Sequence, residues 1–78
     1  MEQVVRNMTK QEQYMFFQNI RHLIPISQSE IARLADVSGA LVSAVFNGIN
    51  TNPKIIQIIE LNINDGWQSF IPKKYLVA

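Results

Sequence analysis

The sequence predicts an all-α domain of five helices, and three observations predict it. Thr9 with Glu12, and Ser27 with Glu30, each place a hydroxyl three residues ahead of an acid, the capping box that opens a helix. Apolar residues recur at i, i+3 and i+4 after both boxes. Asn52-Pro53 supplies a further helix start, with Pro at the first helical position.

Residues 1–8 mix Val4 and Val5 with Glu2, Arg6 and Asn7, too short and irregular a run to show a period, and read as an N-terminal arm. A strand paired with the C-terminal tail is the weaker alternative. The helix opened by Thr9 carries Phe16, Phe17, Ile20, Leu23 and Ile24 at helical spacing and is expected to reach about His22. Pro25 disfavours helical geometry at Ile24, so residues 23–26 form a connection. Arg21 near the end of this helix complements its macrodipole.

Ser27 then opens a short helix, with Ile26 and Ile31 in position for a hydrophobic staple. Ile31, Leu34 and Ala35 share its predicted inner face, Arg33 points out, and Ala32 is small enough for a crossing helix to come close. Asp36 tolerates the left-handed backbone and ends it. Ser38 caps a second short helix, Val37 and Val42 form its staple, and Leu41, Val42, Val45 and Phe46 supply its buried side. Gly39, Ala40, Ser43, Ala44 and Asn47 are left facing out. Asn47-Gly48 closes it, both residues accepting positive φ.

After a polar loop at residues 49–52, Ile55, Ile56, Ile58, Ile59 and Leu61 suit a buried strand as well as a helix. The Asn-Pro start and the polar Gln57 and Glu60 favour helix. Residues 62–65 break it, and residues 65–70 form a last short helix whose Trp67 and Phe70 close the core. Ile71-Pro72 ends that helix, and residues 73–78 follow as an apolar tail led by Lys73 and Lys74.

Residues 27–48 resemble the helix-turn-helix of the Cro and phage-repressor (XRE-type) family. The matching features are Gln28 opening the first helix, Ile31-Ala32, Val37-Ser38 at the turn, Val42 in the second helix, and Asn47-Gly48 followed five residues later by Pro53. The similarity extends from about Thr9 to Phe70, since that family surrounds the motif with three further helices. It implies a lambda-repressor-like fold with the motif at its centre, and it favours helix for residues 53–61. It also implies a phosphate contact or an acid partner for Arg21; Phe46 stands where that acid would be.

With 78 residues there is room for one domain, with a core at residues 9–70 and with residues 1–8 and 71–78 as arm and tail. A chain of this size buries about 60% of its unfolded surface. The absence of Cys removes disulfides, Cys-based metal sites and thiol nucleophiles. No secretory signal and no run near the roughly 20 apolar residues of a membrane span is present, so a cytoplasmic protein is expected. There is no Gly-rich phosphate loop, no metal-ligand spacing and no nucleophile with a supporting base. His22 stands alone and is assigned no role. The expectation is a non-catalytic protein without metal or cofactor.

A formal charge of +1 makes DNA binding depend on where the charges sit. The start of the first motif helix offers N–H groups and a partial positive charge, and Gln28 and Ser29 add donors for a phosphate; the resemblance supplies most of the weight for Gln28. Asn47 and Thr51 can touch the backbone from the loop, and Lys54 can reach a phosphate or the minor groove. The outward face of the second motif helix, Ser38, Gly39, Ala40, Ser43 and Ala44, lacks the long polar side chains usual in the family. Ala40 and Ala44 can meet thymine methyls, Ser43 can bond to most bases, and Gly39 lets the backbone come close. Readout is therefore expected to rest on methyl contacts and DNA shape.

Two functions follow as expectations. The first is a double-stranded DNA-binding transcription regulator of the Cro or repressor type, a homodimer on operator half-sites with Tyr75, Leu76 and Val77 as the dimer contact. The second is a protein-interaction module, an adaptor, antitoxin-like or anti-regulator component, on the same scaffold.

Overall fold

Side-chain caps open four helices of the computed structural model, which describes residues 1–76. Thr9 Oγ1 accepts from the Glu12 N–H at 3.1 Å, and the Glu12 carboxylate accepts from the Thr9 N–H at 2.9 Å. This complete box starts α2 (Lys10–Ile20), which follows α1 (Glu2–Asn7). Ser27 caps α3 (Gln28–Ala35) and Ser38 caps α4 (Gly39–Phe46), each through the N–H three residues on. Asn52 Oδ1 accepts from the N–H groups of Lys54 and Ile55 to start α5 (Pro53–Asn62). Short 3-10 turns at Arg21–Leu23, Trp67–Phe70 and Lys73–Tyr75 complete an all-α architecture with no strand among the described residues.

The core lies where α2, α3, α4 and α5 meet. Phe16, Phe17 and Ile20 from α2 pack with Ile31 and Ala35, with Val42, Val45 and Phe46, and with Ile55, Ile56 and Ile59. Phe17 is fully buried, edge-on to Phe16 with ring centres 5.3 Å apart, and 5.4 Å from the Phe46 ring.

Several expectations are corrected. Residues 1–8 are not an arm: α1 packs on α5, with Val5 fully buried and Met8 nearly so. α2 stops at Ile20, and Ile24 is extended (φ −93°, ψ 111°) as Pro25 requires. Leu34, expected inside, is 41% exposed, whereas Ala32 is buried where α3 meets its neighbours α4 and α5, as its small size allows. The Glu30 carboxylate turns from its cap to the Arg33 guanidinium, at 2.6 and 2.7 Å. A bidentate charged partner outcompetes a single backbone N–H. Asp36 (φ 56°) and Gly48 (φ 77°) take the left-handed backbone, whereas Asn47 keeps φ −95°. Trp67 closes on Phe16, but Phe70 stays 38% exposed with its ring 6.1 Å from His22.

The tail folds back. Ile71 is buried, the Tyr75 hydroxyl donates to Glu12 Oε1 at 2.5 Å and lies 3.1 Å from the Asn7 carbonyl, and Lys74 Nζ stands 2.7 Å from Glu12 Oε2. The Lys74 ammonium, then the Tyr75 hydroxyl and the Thr9 N–H, lower the Glu12 carboxyl from 4.5 to about 2. A folded value below the unfolded one contributes stability that is complete above the unfolded pKa and is lost as pH falls through the folded one. Between about pH 4.5 and pH 2, the urea midpoint of the native protein should therefore fall more steeply than that of Glu12→Gln. Parallel curves would mean that the tail does not depend on this carboxylate.

Candidate nucleic-acid interface

α3 and α4 are joined by residues 36–38, and α4 turns Val42, Val45 and Phe46 inward against α2 and α3. That leaves Ser38, Gly39, Ala40 and Asn47 exposed, with Ser43 and Ala44 half-buried beside them. No atom lies within 4 Å of where a Gly39 Cβ would stand, so the first turn of α4 is open to a large partner. The Ser38 Oγ accepts the Leu41 N–H as a cap, which leaves its own hydrogen free to donate. Asn47 Nδ2 donates to Ser43 Oγ at 3.3 Å, so these two act on a ligand as a pair. Leu41, expected on the buried side, is half-buried and packs against the core.

One side of α4 is bordered by a hollow of about 460 Å³ lined by Arg21, Ser27, Gln28, Ser29 and Phe46. The Arg21 guanidinium sits over the Phe46 ring, 5.8 Å from its centre. A cation over an aromatic face keeps its full charge, whereas the ion pair implied by resemblance would have cancelled it. Gln28 and Ser29 open α3, where N–H groups have no preceding turn to bond to. Arg21, Gln28 and Ser29 are thus brought to one hollow, whose lining also includes Ile24 and Ile26.

The other side is the α4–α5 loop. Gln13, 2% exposed, donates both amide hydrogens across to it: 3.0 Å to the Val45 carbonyl and 2.7 Å to that of Asn50. Gly48 lies against the first turn of α2 so closely that a Cβ would fall 2.2 Å from the Lys10 carbonyl oxygen. Held there, Asn47, Thr51 and Lys54 are all exposed. Sequence reasoning missed Gln13 and Lys10. The signal for Gln13 was its place at i−3 and i−4 from Phe16 and Phe17, a polar residue on an otherwise apolar face.

The charges sort by position. Arg6, Arg33 and Lys74 are paired with Glu2, Glu30 and Glu12. Among the described residues Lys10, Arg21, Lys54 and Lys73 have no carboxylate within ion-pair reach. Arg21 lies over Phe46 at the end of α4, Lys10 contributes its backbone to the contact with Gly48, and Lys54 stands in the first turn of α5.

Comparison with protein-family models, with characterised proteins and with solved structures finds no match. Among the described residues no group of three or more His, Cys, Asp or Glu side chains is placed to hold a metal, and no helix is long and apolar enough to cross a membrane.

Of the residues assigned to a dimer contact, Tyr75 is half-buried and makes its hydrogen bonds within the chain, and Leu76 is 54% exposed. Val77 lies outside the described residues.

Proposed function

We propose that the protein is a sequence-specific double-stranded DNA-binding regulator of transcription, of the Cro and repressor type, acting on operator DNA as a homodimer in the cytoplasm. The observation that carries this reading is the open first turn of α4, with Arg21 over Phe46 at the other end of the same helix and in no ion pair among the described residues. Ser38, Gly39, Ala40, Ser43 and Ala44 face the base edges. Arg21, Gln28 and Ser29 hold one phosphate, and Asn47, Thr51 and Lys54 touch the backbone on the far side. The reading is non-catalytic and uses no cofactor.

A single motif spans few base pairs, so two copies on half-sites about one helical turn apart give useful affinity. Among the described residues assigned to that contact, Leu76 is the exposed one that reaches the second copy. Selection from random duplex DNA at moderate salt tests the whole proposal: enrichment of a palindrome supports it, and no enrichment overturns it. On the enriched site, Arg21→Ala should weaken binding to all sequences alike and reduce the slope of log K against log salt by about 0.9 for each phosphate that Arg21 neutralises. An unchanged slope would remove Arg21 from the interface.

A protein-interaction module is the second reading, favoured by the exposure of Leu34 (41%) and Leu61 (72%). Binding through such apolar surface would show little salt dependence, which separates the two.

A further inference from the structure

We infer that Gln13 is a positioning residue for DNA contact: its amide sets the spacing between α4 and the α4–α5 loop, an inference that rests on the DNA-binding reading above. Gln13 is the one buried polar side chain among the described residues. Filling the core would not require an amide there, since an unbranched apolar residue of the same length would pack without the cost of removing a polar group from water. What the amide adds is two donors, and both go to backbone carbonyls far away in sequence.

The two carbonyls belong to different parts of the proposed interface. Val45 lies in the last turn of α4, and its oxygen also accepts from the Gly48 N–H at 3.2 Å. Asn50 lies in the loop that leads to Thr51 and Lys54. One planar group therefore fixes the helix that faces the bases relative to the segment that faces the phosphates. Gly48 pressed on Lys10 supplies the second attachment, so the loop is held at two points on the first turns of α2. A loop set in this geometry before DNA arrives binds without the ordering cost of a free one. Without the amide, the Asn50 carbonyl turns to water and the loop keeps only its attachment at Gly48.

Gln13→Met retains length and apolar packing while removing both donors. Binding to the selected duplex is measured across a salt series, at a temperature where circular dichroism shows the variant folded. We expect about a tenfold weaker affinity and a slope shallower by about 0.9 to 1.8, corresponding to one or two phosphates no longer neutralised. A merely structural role lowers the folded fraction, which scales the apparent affinity by a constant and leaves the slope alone. Lys54→Ala should also cost less in the Gln13→Met background than in the native protein, because the loop no longer holds Lys54 in place.

If Gln13→Met does not fold, Gln13→Asn keeps an amide one methylene shorter, able to reach one carbonyl, and its slope should fall between. A folded variant with the native slope overturns the positioning role while the native slope upholds DNA binding. A native protein whose binding to every duplex is insensitive to salt overturns the DNA-binding reading itself.

Discussion

Gly48→Ala should destabilise the protein by about 3 kcal/mol or more, the largest effect expected of any single methyl group added to this chain. Two causes add. At φ 77° an L-residue with a Cβ is strained by about 1–2 kcal/mol. The new carbon would also stand 2.2 Å from the Lys10 carbonyl oxygen and 3.3 Å from the Tyr14 nitrogen, both backbone atoms of α2 that cannot swing aside like the end of a side chain. The loop must lift, and Gln13 is then parted from the carbonyls it buries against. Against a total stability of about 5–15 kcal/mol this is a large fraction. Urea denaturation followed by circular dichroism reads it. Gly39→Ala is the control: its Cβ meets nothing, and replacing Gly in a helix gains up to about 1 kcal/mol. Equal midpoints for the native protein and Gly48→Ala would mean that the loop is not held on α2.

Ala40→Glu should abolish tight DNA binding without harming the fold. Ala40 is exposed in the first turn of α4, where an acidic side chain is favoured by the helix dipole, so stability should hold or rise slightly. Against DNA the same carboxylate meets base-edge acceptors and phosphates of like charge. A loss of at least about 100-fold, near 2.7 kcal/mol, is expected. Native-like affinity for the selected duplex would show that α4 is not the helix in the groove.

What could be read from the sequence was what is decided locally. Thr9, Ser27, Ser38 and Asn52 each cap a helix because the oxygen and the N–H it satisfies lie two or three residues apart. Asp36 takes its left-handed turn for an equally local reason. The outward set on α4 followed from helical period alone, although Ser43 and Ala44 are half-buried. What could not be read depends on distant partners. α1 has only six residues, too few for a period, and owes its burial to α5. Leu34 turns out to be exposed because the directions from which α4 and α5 approach are not written in α3. Glu30 had two partners within reach, and charge decided between them. At the candidate site, the α4 face and Arg21 were legible, whereas the hold of Gln13 on residues 45 and 50 was not.

The Glu12 carboxylate receives Tyr75 from a position 63 residues further along the chain. Closing so long a loop is entropically slow, and the neighbouring helix pairs can assemble before it. Seating of the C-terminal segment is therefore a late step in folding. During synthesis the segment emerges only after the helices it fastens, so a nascent chain carries α2 with its box formed and its latch still open.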